Sequence, residues 1–157
     1  MTKAETLLEL AKAQGVILAT AESCTGGLIA GAITDVAGSS AILDRGFVTY
    51  SNAAKMEMLG VTADSLHTHG AVSEEVAREM AEGAVRHSQA SLAVSVTGIA
   101  GPGGSEFKPE GRVCFGLAQD GIETVTETVE FGAIGRDQVR SATVAHALDL
   151  LIKRLTG

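Results

Sequence analysis

The sequence predicts an α/β protein: a three-layer α/β/α sandwich with a mixed, partly parallel sheet of about five strands. A short continuous apolar run at 16–20 is typical of a strand buried on both faces. Segments with helical spacing of apolar residues separate the first three predicted strands and require crossover connections. An Asp-Gly pair between two β-rich runs, 112–118 and 122–131, predicts an antiparallel hairpin that closes the sheet.

The first sixty residues alternate between helix and strand. Thr2 and Glu5 have the spacing of a capping box, and the apolar spacing that follows predicts a helix that ends at Gly15. The pattern continues as a strand at 16–20, a helix that begins within 23–27, a strand at 47–51 and a helix at 51–60.

The remaining elements follow the same logic. Ser73 is a good N-cap for a helix over 74–87, because two acids in its first turn suit the helix dipole. The third strand is predicted at 91–98, and a long C-terminal helix at 136–156. No linker or repeat divides the chain, so we expect a single domain over residues 1–157.

Composition excludes several classes of partner. The net charge is −7, basic residues are scattered and there is no Trp, so we expect no nucleic-acid partner. No apolar run approaches the roughly 20 residues that span a bilayer, and the N-terminus lacks a signal-peptide pattern, so we expect a cytoplasmic protein without a membrane partner. Cys24 and Cys114 form no CxxC unit and are predicted to be free thiols.

Three polar clusters follow the first three predicted strands. They read ESCTGG at 22–27, YSNAAK at 50–55 and TGIAGPGG at 97–104. Ligands bind outside the carboxyl ends of the strands in such sheets. The sequence therefore predicts one site to which all three clusters contribute.

The first cluster offers two nucleophiles. Ser23 lies on a strand-to-helix turn that can expose its hydroxyl, although on position alone it is also a plain helix N-cap. Cys24 is the alternative nucleophile, but no histidine lies in the three clusters to serve as its base. Thr25, Gly26 and Gly27 are interpreted as backbone that approaches the ligand and donates amides to an anion.

The second cluster offers a base. Lys55 must be neutral to accept a proton, and lowering a lysine pKa from about 10.4 to about 7 requires roughly 4–5 kcal/mol. Burial or a nearby cation can supply that, whereas a solvated surface lysine is the simpler interpretation. Tyr50 either packs under the helix or orients the lysine and relays a proton.

The third cluster and the last helix offer binding groups. The segment 97–104 lets backbone approach a ligand, but it matches neither a P-loop nor GxGxxG, and a surface loop is the alternative. Arg136 and Arg140 are four residues apart and either grip a phosphate together or form an exposed pair. His67 and His69 lack a third ligand, so no metal site is predicted.

With these motifs assembled, the sequence resembles the CinA C-terminal domain family, the nicotinamide-nucleotide amidases. The resemblance spans nearly the whole chain and is carried by 21–27, 46–61, 70–84, 96–111 and 136–140. One departure precedes the last helix, where the family usually has Gly-Asp-Arg and this chain has Ile134-Gly135-Arg136. The resemblance implies hydrolysis of the carboxamide of nicotinamide mononucleotide to nicotinic acid mononucleotide and ammonia, in pyridine nucleotide recycling, without metal or cofactor.

By that resemblance Ser23 is the nucleophile, Lys55 the base and Tyr50 an assisting group, and Thr97 and an arginine of the final helix belong to the site. Many members of the family carry a further N-terminal domain linked to dinucleotide pyrophosphatase activity, so only the amidase activity is expected of this chain. The residues expected to bind the pyridine nucleotide are Thr25, Gly26, Gly27, Gly98, Ala100, Gly101, Arg136 and Arg140.

Two other interpretations stay open. A nucleotide-binding or protein-interaction domain of the same fold would need no turnover. Short-chain dehydrogenases also use Ser, Tyr and Lys, but they need Tyr-x3-Lys, whereas four residues separate Tyr50 from Lys55 here. A homo-oligomer is compatible with the sequence.

Overall fold

The computed structural model describes residues 1–105 and 107–157, so Glu106, in the predicted 96–111 motif, lies outside the described residues. Six α-helices and five strands occur in the described chain. The helices are α1 Lys3–Gln14, α2 Leu28–Thr34, α3 Asn52–Leu59, α4 Ala63–His69, α5 Glu74–Arg86 and α6 Arg136–Thr156. The strands are β1 Leu18–Glu22, β2 Leu43–Val48, β3 Leu92–Gly98, β4 Arg112–Gln119 and β5 Ile122–Glu130.

The strands form one mixed sheet in the order β2-β1-β3-β4-β5. β1 runs parallel to both β2 and β3, while β4 and β5 are antiparallel additions. Glu22 pairs with Val48 on one side and Val96 on the other. Ser23, Thr49 and Thr97 are the next residues after this aligned row and therefore lie at the same level, although β3 continues to Gly98.

Helices cover both faces of the sheet, which confirms the predicted three layers. One core lies between the sheet and α1, α2 and α6, and contains Leu18, Ile29, Val94 and Leu151. The second core lies under α3 and α5. In the described chain, no helix is long and apolar enough to cross a membrane.

Most of the predicted helix ends are confirmed by their caps. Thr2 and Glu5 form the capping box of α1, which ends at Gly15 with φ 66°. The Ser73 side chain caps α5, and Gly60 ends α3 in the left-handed region. α6 has the predicted bounds, and the hairpin turns at Asp120-Gly121.

Three predicted elements are misplaced and one is missed. β1 begins two residues later than predicted, and α2 begins at Leu28 rather than within 23–27. β2 precedes the predicted 47–51, because it is an edge strand whose residues are mostly exposed and carry little apolar signal. α4 buries no residue, so it has no apolar periodicity to reveal it.

Gly83 on α5 sets how closely α5 approaches α3. A Cβ atom at Gly83 would lie 2.0 Å from the Leu59 carbonyl oxygen, whereas one at Gly31 of α2 meets nothing within 4 Å. We expect Gly83→Ala to lower the free energy of unfolding by about 1–3 kcal/mol, as overpacking does. Gly31→Ala is the matched control and should raise it by up to about 1 kcal/mol. Urea unfolding checks both, and equal effects would contradict the close-packing argument.

Candidate active site

A cavity of about 320 Å³ opens at the carboxyl ends of β1 and β3. Its lining comes from residues within 23–24, 50–55, 71–72 and 97–105, together with Arg136. A larger depression of about 1220 Å³ lies between α1, α2 and α6. The three polar clusters predicted to converge therefore all contribute to the 320 Å³ cavity, which has the size of a small-ligand site.

Ser23 and Lys55 are in hydrogen-bond contact inside this cavity. Lys55 is only 1% exposed, and its Nζ donates to Ser23 Oγ at 3.0 Å. Nζ also donates to the carbonyl oxygens of Thr49 at 2.9 Å and Tyr50 at 3.3 Å. A hydroxyl and an amine at this distance have the geometry of a nucleophile and its base.

The simpler interpretations of Ser23 and Lys55 are both wrong. The N-cap of α2 is Gly27, which makes no side-chain cap hydrogen bond, so Ser23 does not cap the helix. Lys55 is not a solvated surface lysine, because it shares the inner face of α3 with the buried Leu59. The Ser51 side chain caps α3 and fixes the helix start from which Lys55 reaches inward.

Glu22 holds the turn that carries Ser23. Its carboxylate is fully buried and accepts from the Thr25 hydroxyl at 2.5 Å and from the backbone amides of Gly27, Ile29 and Ala30 at 3.2, 2.9 and 2.9 Å. Glu22 was not among the candidate residues predicted from the sequence, although an acid at the end of an apolar strand is a signal of such a role.

The residues Thr25, Gly26 and Gly27 do not line the cavity. The Thr25 hydroxyl and the Gly27 amide are directed to Glu22, and the Gly26 amide donates to the Ser23 carbonyl at 3.0 Å. Their close packing shapes the turn beneath Ser23. The structure thus separates them from the cavity-lining residues with which the sequence grouped them.

The two arginines of α6 diverge. Arg136 lines the cavity, donating to the Gly101 carbonyl at 2.7 Å and to the Tyr50 hydroxyl at 3.0 Å. Arg140 lies outside the lining and donates to the carbonyls of Cys24 at 3.1 Å and Thr25 at 3.2 Å. Arg136 therefore faces the cavity, while Arg140 holds the Ser23 turn.

Tyr50 and Thr97 both lie at the cavity. Tyr50 is 61% exposed, so its ring does not pack under α3. Thr97 is buried, and its hydroxyl donates to the Ala71 carbonyl at 2.8 Å. The backbone positions Gly98, Ala100 and Gly101 line the cavity as the sequence predicted, and Asn52, which it did not select, lines it too.

Cys24 has the environment of an inert thiol. It is 5% exposed and belongs to the core under α2 and α6. Burial, with a smaller contribution from the Glu22 charge, raises its pKa to about 11, so the thiol stays protonated at neutral pH. Across residues 1–105 and 107–157, no group of three or more His, Cys, Asp or Glu side chains is arranged to hold a metal ion.

This chain is similar to known proteins over nearly its whole length. The family model described as the CinA C-terminal domain matches residues 1–155. The nicotinamide-nucleotide amidohydrolase PncC of Escherichia coli (strain K12) is 51% identical over 152 residues, which cover 96% of this chain and 92% of that protein.

A CinA-like protein of Chlorobium phaeobacteroides (strain BS1) is 60% identical over 120 residues, which cover 73% of this chain and 29% of that longer protein. Among solved structures, the competence/damage inducible protein CihA from Agrobacterium tumefaciens superposes with a TM-score of 0.91. It is 48% identical, and the match covers 100% of this chain and 98% of that one.

The environment of Cys24 predicts slow reaction with thiol reagents. With a pKa of about 11, roughly one thiol in 10⁴ is ionised at pH 7, against about one in 10² for the ordinary value of 9.0. Alkylation of native Cys24 by iodoacetamide should therefore be at least about 100-fold slower than in denaturant. Peptide mapping by mass spectrometry separates Cys24 from Cys114, and equal rates in the two states would contradict this account.

Proposed function

Since this chain belongs to the CinA C-terminal domain family, we propose that it is an amidase that hydrolyses the carboxamide of nicotinamide mononucleotide to nicotinic acid mononucleotide and ammonia, in pyridine nucleotide recycling. The contact between Ser23 Oγ and Lys55 Nζ, inside the cavity at the carboxyl ends of the strands, carries the proposal. The substrate is inferred from the name of the PncC relative of Escherichia coli, a nicotinamide-nucleotide amidohydrolase.

The surroundings of Lys55 suit a neutral amine acting as base. A neutral amine has two N–H groups and one lone pair. The carbonyls of Thr49 and Tyr50 can accept from the two N–H groups, and the lone pair can accept from the Ser23 hydroxyl. In that state the Ser23 hydroxyl donates to Nζ, and burial of the side chain disfavours the charged form.

Acylation then follows in two steps. Ser23 Oγ bonds to the carboxamide carbon while its proton moves to Lys55 Nζ. The tetrahedral intermediate collapses, its C–N bond breaks, and Lys55 returns the proton to the departing nitrogen, which leaves as ammonia. Backbone amides near Ser23 or at Thr97-Gly98 stabilise the oxyanion. The product of this half-reaction is an ester between Ser23 and the nicotinoyl group.

Water completes the cycle. Lys55 takes a proton from a water molecule as its oxygen attacks the ester carbon, and the proton passes to Ser23 Oγ as the ester bond breaks. The sum is amide plus water giving acid plus ammonia. The pyridinium charge of the substrate assists both halves, because it withdraws electrons from the carbonyl and favours the neutral form of the nearby Lys55.

The phosphate of the substrate binds at the outer part of the cavity. Arg136 and the glycine-rich backbone at 101–104 both line the cavity there. A guanidinium suits phosphate because it offers paired N–H donors in a fixed plane. Arg140 is directed to two carbonyls of the Ser23 turn, so we assign phosphate binding to Arg136 alone.

Replacing the nucleophile should abolish turnover. We expect Ser23→Ala to lower kcat for ammonia release by at least about 10³-fold, because the proposed ester forms on Ser23 Oγ. Cys24→Ala is the adjacent control and should keep kcat within about threefold, since the thiol stays protonated and buried. A coupled assay for ammonia measures both. If Cys24→Ala is the inactive variant, the thiol is the nucleophile; stoichiometric binding without release by the unaltered protein would indicate a binding domain.

Removing Arg136 should weaken phosphate binding selectively. We expect Arg136→Ala to raise KM for nicotinamide mononucleotide by about 10-fold or more, as loss of a charged hydrogen bond does. Nicotinamide riboside lacks the phosphate and is the matched control, so its kcat/KM should change little. Steady-state kinetics on both substrates test this, and an equal loss on the two would place the phosphate elsewhere.

A further inference from the structure

We propose that Glu22 is a positioning residue that sets the alignment of Ser23 with Lys55. This inference rests on the proposed function of the same site. Glu22 is not in the cavity lining and touches neither reacting atom. It acts through its two neighbours in space, the turn that carries Ser23 and the backbone that receives Lys55.

The side chain of Glu22 fixes the Ser23 turn at both ends. Glu22 is the last residue of β1, and three of its four donors are backbone amides at or near the start of α2, those of Gly27, Ile29 and Ala30. Residues 23–27 therefore form a turn whose two ends are connected through the Glu22 carboxylate. Gly27, the N-cap residue of α2, makes no side-chain hydrogen bond to the first amides of the helix. The Glu22 carboxylate, five residues earlier in the chain, accepts from amides at this helix end instead.

The backbone of Glu22 reaches the other half of the pair. Its carbonyl accepts from the Thr49 amide at 2.8 Å, and the Thr49 carbonyl accepts from Lys55 Nζ at 2.9 Å. One residue is therefore linked to the nucleophile through its side chain and to the base through its main chain. A shift of Glu22 would change the distance between Ser23 Oγ and Lys55 Nζ from both sides.

A carboxylate is required because all four partners are donors. Oε1 accepts from Thr25, Gly27 and Ile29, and Oε2 accepts from Ala30. A glutamine of the same shape has one acceptor oxygen, so its NH2 group would face a backbone N–H in either orientation. Glu22→Gln therefore breaks the turn's hydrogen bonding without changing side-chain volume, and displacement of a reacting group by about 1 Å costs on the order of 10²-fold in rate.

The test compares Glu22→Gln with the unaltered protein. We expect kcat for ammonia release to fall by about 10- to 100-fold while KM stays within about twofold, because the cavity lining is unchanged. The rate at which a fluorophosphonate labels Ser23, followed by mass spectrometry, should fall by a similar factor. Retention of both rates within twofold would overturn the inference.

Ile33→Ala is the control for a merely structural role. Ile33 is buried on α2 but belongs to neither the Ser23 turn nor the cavity lining, so its truncation loosens α2 without touching the Glu22 hydrogen bonds. We expect it to lower Tm and to leave kcat within about twofold. An equal loss of kcat in Ile33→Ala and Glu22→Gln would show that Glu22 only stabilises α2, and would overturn the inference.

A second variant and a second readout ensure that every result tests the role of Glu22. If Glu22→Gln does not fold, Thr25→Val removes one donor and keeps the carboxylate, and it should reduce labelling of Ser23 by a smaller factor. If the unaltered protein is labelled at Ser23 but releases no ammonia, the proposed function fails while the labelling ratio still tests Glu22. Absence of labelling in the unaltered protein would overturn the inference, since no reactive serine would then need positioning.

Discussion

The enclosure of the Lys55 amino group is the constraint on which the site depends. A buried amine must find hydrogen-bond partners inside the protein, and Lys55 finds Ser23 Oγ and two carbonyls from the segment between β2 and α3. That requires β2 to end level with β1, and α3 to start so that Lys55 points inward. The parallel pairing of β1 and β2 and the Ser51 cap supply these two conditions.

The site combines a fixed reacting end with an exposed binding end. Around Ser23, the Glu22 side chain holds the turn from β1 and Arg140 holds it from α6, so Ser23 is positioned by buried or half-buried groups on two elements. At the mouth, Tyr50 and Arg136 are exposed and contact each other. The proposed reaction needs precise alignment of its groups, which the Ser23 turn provides. Recognition of a charged ligand can use exposed side chains that change conformation, such as Tyr50 and Arg136.

Elements with a regular row of buried apolar residues were predicted accurately from the sequence. Elements without such a row were misplaced or missed. α6 and α1 bury regular apolar positions and were predicted within a residue, whereas β2 and α4 bury too little to be located. Ser23 and Lys55 were selected from their places after strands, but the burial of Lys55 depends on packing between distant segments. Arg136 and Arg140 share a helix face, yet one turn along α6 brings them to different loops.

Burial, with a smaller contribution from the Glu22 charge, distinguishes the two adjacent candidate nucleophiles. Ser23 and Cys24 are neighbours in the same turn, but their side chains meet opposite environments. Ser23 Oγ faces an amine that can take its proton, whereas Cys24 lies in the apolar core, where burial and the Glu22 carboxylate both raise its pKa. A thiolate would be the better nucleophile in water. Burial, together with the anion that shapes the turn, disfavours that thiolate, and this supports the proposed reaction at Ser23, the weaker nucleophile that has a base in contact.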